Sequence, residues 1–335
     1  MLHSELCGTH YEMGLALGTE LRRQGCRLLG RVPFPLTQER LDFACACLPH
    51  YRAHFPAVLE EIRGLAEGQD THPALLQGVL FSMYALPPSC HCSCFAVVQP
   101  HGVFLGRNSD FLTALEGDCR SVLCRPSGPA HSFLGHTTSF VQMEDGVNAQ
   151  GLAAGLTSVH PGAVRPGLNA GMLLRLLLET CASVPEALDL LSRVPIASAQ
   201  TLILAHRSGE AALVECCPGG YAEVRTGPSI PYVCSTNVFH IPAMQPFRIP
   251  SGDDWAAEPR WQTMERFLAR RARSADRGAL LNLLAGQHGF LCQYDRRTGR
   301  DTVWSVLYDL TGSAVLRAEG NPAQVPFQQD SRFLF

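Results

Sequence analysis

The sequence lacks several features that would place the protein in a familiar class. No apolar run approaches the roughly 18–20 residues that a membrane-spanning helix needs. Residues 1–5 (MLHSE) carry no basic stretch followed by an apolar one, so no signal peptide is visible and we expect a cytosolic protein. An excess of positive charge is also absent, since 27 Lys and Arg face 30 Asp and Glu. This balance excludes a basic nucleic-acid-binding protein.

What is present indicates a globular protein with a sizeable core. The chain has 335 residues, of which 46% are hydrophobic and 17% are charged, and this composition excludes global disorder. Fourteen cysteines are many for this length. Without an export signal, we interpret most of them as reduced, buried, small hydrophobic residues.

Hydrophobic spacing predicts helices in the first ninety residues and mostly strands afterwards. The predicted helices lie at 11–23, 39–66 with breaks at Pro49 and Pro56, 72–86, 169–180, 184–191, 259–273 and 277–285. The predicted strands lie at 92–99, 102–107, 138–143, 152–158, 200–206, 211–216, 231–235 and 302–309, with a long loop at 242–258. Runs of strands flanked by helices are typical of an α+β layered fold.

One predicted hairpin carries the residues that are best suited to catalysis. If 92–99 and 102–107 are its two arms, Cys92 and Arg107 lie at the same open end. A cation there would stabilise a thiolate, and Asp110 would hold the cation or accept a proton. The pattern therefore predicts a nucleophilic cysteine.

Two other interpretations of these cysteines stay open. Cys90, Cys92 and Cys94 alternate, so on a strand they share one face and are equally compatible with ordinary core residues. They are also compatible with thiolate ligands of a metal, with His91 nearby, although the Cys-x-x-Cys pairs of strong zinc sites are missing from the sequence.

The hairpin resembles the nucleophile segment of N-terminal-nucleophile (Ntn) hydrolases that cleave linear amides. Residues 92–95 (CSCF) and 106–111 (GRNSDF) are similar to those of the acyl-coenzyme A:6-aminopenicillanic acid acyltransferase family. Bile salt hydrolases and acid ceramidases are more distant relatives. Four further segments resemble family motifs in the same order along the chain: residues 8–14 (GTHYEMG), 144–153 (EDGVNAQGLA), 235–239 (STNVF) and 320–322 (GNP).

The resemblance implies a four-layer αββα sandwich and cleavage of the chain by itself. The catalytic Cys92 must become the first residue of its chain so that its own α-amine serves as general base. Cleavage at His91–Cys92 would leave a helical segment, 1–91, and a catalytic region, 92–335. Relatives commonly carry Gly before the nucleophile, where this chain has His91.

The resemblance also implies roles for individual residues. Cys92 attacks the acyl carbonyl, Arg107 orients and stabilises its thiolate, and Asp110 hydrogen-bonds the α-amine. Asn237 donates to the oxyanion of the tetrahedral intermediate. Arg260 stands where bile salt hydrolases carry a further active-site arginine.

The oxyanion and support positions that the resemblance implies are Thr157 and Asn148. Bile salt hydrolases have an asparagine in a Gly-Leu-Asn segment where this chain reads GLT at 155–157, which favours the acyltransferase-like branch. We expect a small-molecule N-acyl amide substrate, with acyl-CoA as an alternative acyl donor, and no required cofactor or metal. A homo-oligomer, an unprocessed family member acting as a scaffold, and a bile-salt-hydrolase-like enzyme stay open.

Overall fold

Two stacked β-sheets form the centre of the protein in a computed structural model, which describes residues 1–86, 91–160, 162–249 and 255–335. The larger sheet has the spatial order β1 (Leu2–Gly8), β4 (Arg120–Pro126), β5 (Phe133–Thr137), β6 (Asp145–Asn148), β7 (Leu152–Ser158), β8 (Gln200–His206), β9 (Glu210–Cys217) and β10 (Gly220–Arg225). The smaller sheet has the order β11 (Tyr232–Ser235), β2 (His91–Gln99), β3 (Gly102–Leu112), β12 (Arg300–Asp309), β13 (Ala314–Ala318) and β14 (Gln328–Asp330). Neighbouring strands are antiparallel, except for the parallel pair β1 and β4.

Helices cover the outer faces of both sheets. They are α1 (His10–Arg23), α2 (Gln38–His54), α3 (Pro56–Gln69), α4 (Pro73–Ser82), α5 (Ala170–Thr180), α6 (Val184–Arg193), α7 (Ala257–Arg271) and α8 (Arg277–Leu284). Helices α1 to α6 share one apolar core on the larger sheet, and α7 and α8 pack on the smaller sheet. The predicted four-layer αββα sandwich is confirmed. No helix in the described ranges has both the length and the apolar character to cross a bilayer.

Alternation along β2 separates the two faces of the smaller sheet. Cys94 and Ala96 lie in the core between the sheets, whereas Phe95 and Val97 pack against α7 and α8. Because side chains two residues apart share a face, Cys92 points toward the layer between the sheets. This alternation decides which partners each residue of the hairpin can reach.

The N-terminal segment differs from its prediction in two places. Residues Leu2–Gly8 form β1 rather than helix, and their alternating burial at Ser4 and Leu6 is a period-two signal in a very short stretch. Helix α2 continues through Pro49 to His54, so the predicted break there is wrong. The helix gives up one backbone hydrogen bond at the proline while its buried Cys47 and Tyr51 hold it against the core.

Two expectations later in the chain are also wrong. The predicted strand at 138–143 is an irregular segment, because its apolar Val141 and Met143 are buried under α5 without a neighbouring strand to pair with. The predicted loop at 242–258 contains a 3₁₀ turn at Pro242–Phe247 and the first two residues of α7; its residues 250–254 lie outside the described chain.

Helices α1 and α3 cross with their backbones in contact, and glycine makes this possible. A methyl group on Gly14 would lie 2.0 Å from the carbonyl oxygen of Glu61, and one on Gly64 would lie 2.1 Å from that of Tyr11. Both distances are far below van der Waals contact. The N-terminal segment therefore folds around a close helix crossing that a side chain would push apart.

Buried charges attach this helix pair to the rest of the protein. The guanidinium of Arg175 on α5 donates to both carboxylate oxygens of Glu61, at 2.7 and 3.2 Å, and to Glu179 at 2.6 Å. Glu179 in turn contacts the imidazole of His10 at 2.8 Å. The cluster joins α1 and α3 of the N-terminal segment to α5, which lies later in the chain.

We expect Gly64→Ala to lower the free energy of unfolding by roughly 1–3 kcal/mol, because the added methyl group forces α1 and α3 apart. Gly30→Ala is the matched control, since nothing lies within 4 Å of a methyl group there, and we expect a change below about 0.5 kcal/mol. Urea unfolding of the two variants measures both values. Equal stabilities would mean that the crossing relaxes without cost.

Candidate active site

The β2–β3 hairpin brings the predicted site residues together. In the ladder, Cys92 lies opposite Ser109, and Cys94 lies opposite Arg107. His91 lies opposite Asp110, one residue along on the other face of the sheet. Directly opposed residues share a face, so the hairpin presents Cys92 and Arg107 to the layer between the sheets and His91 and Asp110 to α7.

Arg107 makes the contact with the Cys92 sulfur. Its Nη2 atom lies 2.7 Å from Cys92 Sγ and 3.2 Å from Glu144 Oε2, while Nη1 donates to Asp145 at 2.9 Å. Nε donates to the backbone carbonyl of Leu156 at 2.9 Å. The guanidinium is completely buried. Two of its nitrogens, Nε and Nη1, are hydrogen-bonded to strands of the larger sheet, which fixes the orientation of the planar group.

The carboxylate of Asp145 contacts four side chains. Besides Arg107, it accepts hydrogen bonds from the indole of Trp304 at 3.1 Å and the hydroxyl of Tyr308 at 2.6 Å, and it lies 2.5 Å from His136 Nδ1. Burial opposes its ionisation, but His136 and Arg107 outweigh burial and hold the pKa of the carboxyl at about 2. Asp145 is therefore a carboxylate at neutral pH and a permanent counter-charge for Arg107.

A second group of polar residues lies on the α7 side of the hairpin. Asp110 accepts hydrogen bonds from Thr302 at 2.6 Å and from the Tyr294 hydroxyl at 2.9 Å, and it lies 3.3 Å from Arg260 Nη1. Burial raises the pKa of the Asp110 carboxyl, although Arg260 opposes that shift. Burial also raises the pKa of the Tyr294 hydroxyl. This group therefore stays protonated and donates its hydrogen bond to Asp110.

The backbone of Cys92 is held between Asn237 and Arg260. The amide nitrogen of Cys92 donates to Asn237 Oδ1 at 3.0 Å, and its carbonyl oxygen accepts from Arg260 Nη1 at 2.5 Å. Arg260 Nη2 also donates to Asn237 Oδ1 at 2.8 Å, and Asn237 Nδ2 donates to the carbonyl of Ser158 at 2.7 Å. Asn237 Oδ1 accepts hydrogen bonds from two donors. These bonds decide which of the two terminal atoms of the side-chain amide is the oxygen.

The thiol of Cys92 is neutral in this environment. Its side chain is completely buried, and burial raises the pKa of the Cys92 thiol to about 12. Arg107 acts in the opposite direction, but the carboxylates of Glu144 and Asp110 offset it. A nucleophile at this position needs a proton acceptor, because almost none of it is thiolate at neutral pH.

The other predicted site residues have different surroundings. The hydroxyl of Thr157 donates to the carbonyl of Thr236 at 2.5 Å, directly before Asn237, so it supports the loop that carries Asn237. Asn148 bonds to the backbone at the end of α5 and to its own turn, and it contacts none of the other site residues. His91 is half-buried, and its imidazole stacks on Trp255.

An apolar cleft lies near the site, between the N-terminal helical segment and the residues after β2. Six of the residues that line it are Val32, Phe34, Tyr84, Phe111, Leu115 and Phe140. Thr138, which also lines the cleft, donates to Glu144, whose other oxygen contacts Arg107. Two side chains, Thr138 and Glu144, therefore separate the cleft from the guanidinium that contacts the Cys92 sulfur.

The structure offers the metal alternative little support. Cys90 lies outside the described residues, Cys92 is bonded to Arg107, and Cys94 lies in the core between the sheets. His10, Glu61 and Glu179 form the group of converging donor atoms found in the described ranges. Both carboxylates there are already paired with Arg175, so the cluster is a buried ion pair.

Glu144, Asp145, Tyr294 and Thr302 were not among the predicted site residues. Glu144 and Asp145 had a detectable signal, because two adjacent acidic residues begin the motif segment at 144–153, and a carboxylate buried there needs a cation. Tyr294 and Thr302 have no such signal. They reach Asp110 from positions almost 200 residues away through the packing of β12 and the segment before it.

Comparison with known proteins identifies the family. A family model described as acyl-coenzyme A:6-aminopenicillanic acid acyl-transferase matches residues 97–324. The chain belongs to this family. The resemblance predicted from the motifs is thereby confirmed, and the protein is an enzyme that hydrolyses amides or transfers acyl groups. The match begins after Cys92, so the role of that residue depends on the geometry of the site.

Several solved structures are similar to this chain, whereas no curated protein matches it. A Caenorhabditis elegans ortholog of N-acylethanolamine-hydrolyzing acid amidase is 16% identical, with 66% of this chain and 93% of that chain covered and a TM-score of 0.49. Penicillin V acylase from Agrobacterium tumefaciens is 17% identical, with coverage of 68% and 82% and a TM-score of 0.48. A mutant of conjugated bile acid hydrolase from Clostridium perfringens is 11% identical, with coverage of 72% and 97% and a TM-score of 0.47.

Asp145→Asn should destabilise the protein in a pH-dependent way. At pH 7 we expect a loss of about 3 kcal/mol, because the buried Arg107 loses its closer carboxylate partner and keeps only Glu144, at 3.2 Å. The folded pKa of Asp145 lies below the ordinary value, so the carboxylate stabilises the fold above about pH 4 and this contribution disappears as the pH falls toward 2. The difference between wild type and variant should therefore shrink by about 2 kcal/mol over that range.

Denaturant unfolding at several pH values measures this difference. Asp189→Asn is the control, because it removes a surface salt bridge with Arg193 and should cost less than about 1 kcal/mol. A pH-independent difference for Asp145→Asn would contradict the prediction.

Proposed function

We propose that the protein is a cysteine Ntn enzyme that cleaves or forms linear amide bonds of N-acyl substrates, with Cys92 as nucleophile. The observation that carries the proposal is the position of Cys92, whose sulfur lies 2.7 Å from Arg107 Nη2 while Asn237 and Arg260 hold its backbone nitrogen and oxygen. These contacts fix both groups that the mechanism uses, the thiol and the nitrogen that becomes its base.

The first reaction is cleavage of the chain between His91 and Cys92. The Cys92 sulfur attacks the His91 carbonyl carbon, the bond from that carbon to the Cys92 nitrogen breaks, and the nitrogen takes the thiol proton. Water then hydrolyses the resulting thioester, which leaves a carboxylate on His91 and restores the thiol. The new α-amine of Cys92 is a base with an ordinary pKa of about 7.7–8.0, which the peptide nitrogen was not.

The second reaction uses the same thiol on a substrate. The α-amine takes the thiol proton as sulfur attacks the acyl carbonyl, and then passes it to the departing amine, so that a thioester remains. Water, or an acceptor amine, attacks the thioester and releases the acid or a new amide. Arg107 stabilises the sulfur as it becomes negative, and Asp110 and Asn237 keep the α-amine in place.

The two products of cleavage, 1–91 and 92–335, stay together in this proposal. β1 remains a strand of the larger sheet, and the ion pair of Arg175 with Glu61 still joins α3 to α5. The apolar cleft beside Glu144 is lined by both chains, which supports a substrate with an apolar part. Acyl-CoA is the alternative acyl donor.

We also propose a reducing compartment, the cytosol. The thirteen cysteines within the described residues are all free thiols. Several of them, such as Cys124 and Cys216, are buried in the apolar core, where they act as small hydrophobic residues.

The cleavage prediction concerns Cys92→Ala and Cys94→Ala. Wild type should give chains of about 10 and 27 kDa by intact mass under reducing and denaturing conditions, as the residue share of 36.5 kDa requires. Cys92→Ala should give one uncut, inactive chain. Cys94→Ala should be cut like wild type, because Cys94 is equally buried on the same face of β2 but lies two residues beyond the bond that is cut.

A single uncut chain in all three samples would contradict the proposal. It would favour the unprocessed scaffold interpretation, in which the family fold is kept without catalysis.

The oxyanion prediction concerns Asn237. Asn237→Ala should lower kcat by about 10²–10³, because the amide N–H that stabilises the tetrahedral oxyanion is lost. Asn237→Asp keeps an oxygen acceptor for the Cys92 nitrogen but has no N–H donor, so we expect a comparable loss. Near-normal activity of Asn237→Asp would mean that Asn237 only holds the nitrogen.

A further inference from the structure

The imidazole of His91 is stacked on the indole of Trp255, next to the bond that we propose is cut. The ring centroids are 4.5 Å apart and the planes are inclined by 14°. Tyr294 meets the same indole edge-on at 5.7 Å, and the guanidinium of Arg300 lies 5.0 Å from its centroid. His91 therefore occupies an aromatic surface that the proposed mechanism does not use.

Trp255 is fixed to the same groups that hold Cys92. Its carbonyl oxygen accepts hydrogen bonds from Arg260 Nε at 3.0 Å and from the Tyr294 hydroxyl at 3.3 Å. Arg260 also bonds the Cys92 carbonyl, and Tyr294 bonds Asp110. The φ of Trp255 is 51°, in the left-handed region that few side chains tolerate, so these bonds hold a conformation the chain would otherwise avoid.

In the self-cleavage reaction, His91 is the acyl group. Cys92 attacks the carbonyl carbon of His91, and the rest of that residue lies on the acyl side of the bond. Both reactions pass through a thioester on the Cys92 sulfur, so a substrate carbonyl carbon becomes attached to the same atom to which the His91 carbonyl carbon was attached. The acyl group beyond that carbonyl then lies where the side chain of His91 lay, on the indole of Trp255.

We propose that the indole of Trp255 is the acyl subsite of the cleaved enzyme and that it takes flat aromatic rings. Two carbon atoms separate the His91 carbonyl carbon from its ring, so the acyl group that matches best is a 3-arylpropanoyl group. The subsite rests on the proposed self-cleavage, since His91 covers the indole in the uncut chain. It gives the enzyme a substrate class, amides or thioesters of 3-arylpropanoic acids.

Two 4-nitroanilides test this subsite, one of 3-phenylpropanoic acid and one of 3-cyclohexylpropanoic acid. They have equal carbon counts and differ in whether the ring is flat and aromatic. For wild type we expect kcat/KM to favour the phenyl substrate by roughly 2- to 10-fold, the range that aromatic stacking supplies beyond buried area. Trp255→Leu should bring the ratio near one, and Trp255→Phe should retain most of it.

Trp261→Leu is the matched control. It removes another indole–imidazole stack, with His240 at 4.0 Å and 11°, on α7, and it should keep the wild-type ratio because the imidazole it contacts is not that of His91. Equal use of the two anilides by wild type, or the same change of ratio in Trp255→Leu and Trp261→Leu, would overturn the subsite.

A binding measurement tests the subsite in two cases that the kinetic comparison cannot decide. In the first, the enzyme is cut but turns over neither anilide. In the second, the Trp255→Leu variant does not fold. By calorimetry, 3-phenylpropanoate should bind cleaved wild type more tightly than 3-cyclohexylpropanoate does, and it should not bind uncut Cys92→Ala, in which His91 still covers Trp255. Equal binding of 3-phenylpropanoate to the cut and uncut forms, or binding to neither, would overturn the subsite. A wild type that neither cuts itself nor hydrolyses any N-acyl amide would instead overturn the proposed function, and the subsite with it.

Discussion

The ion pair between Arg107 and Asp145 crosses the layer between the two sheets, and the arrangement of the site depends on it. Arg107 belongs to the smaller sheet and Asp145 to the larger one, and neither is exposed to solvent. A guanidinium has a rigid planar fork, so fixing Nη1 on Asp145 and Nε on the Leu156 carbonyl leaves Nη2 in one place. That place is beside the Cys92 sulfur. The register of the sheets and the position of the thiol are thus set by the same contact.

Burial and the charges around Cys92 keep its thiol protonated, so the proposed mechanism depends on a base that the cut itself creates. Two cations, Arg107 and Arg260, are surrounded by three carboxylates, so the net field does not stabilise a thiolate. An arginine alone in this position would favour ionisation of the sulfur, as it does at other reactive cysteines. Here the positive charge of Arg107 is largely compensated by the carboxylates of Glu144 and Asp145. A base that arises only when the chain is cut would therefore couple the start of catalysis to the cut.

Contacts between residues that are close together in the sequence could be predicted, and contacts between distant residues could not, except through family motifs. The β2–β3 hairpin was predictable because two apolar runs flank a Pro-His-Gly turn, and its register alone places Cys92 near Arg107. Asn237 and Arg260 were predictable only through family motifs, since nothing in the spacing of residues 92, 237 and 260 shows that they meet. The counter-charges Glu144 and Asp145 were missed as partners of Arg107, because their strand belongs to the other sheet. The misplaced strand at 138–143 shows the same limit, since burial without a neighbouring strand looks identical in sequence to burial within a sheet.

The complete burial of Cys92 has a consequence for the stability of the chain in air. Oxidants and alkylating agents react with exposed thiolates, and the uncut chain offers them neither exposure nor ionisation at this sulfur. Cys7 and Cys45, by contrast, are exposed and are the thiols that such reagents meet first. In the proposed scheme, the uncut chain therefore keeps its nucleophilic sulfur away from such reagents, which react first at the two exposed thiols.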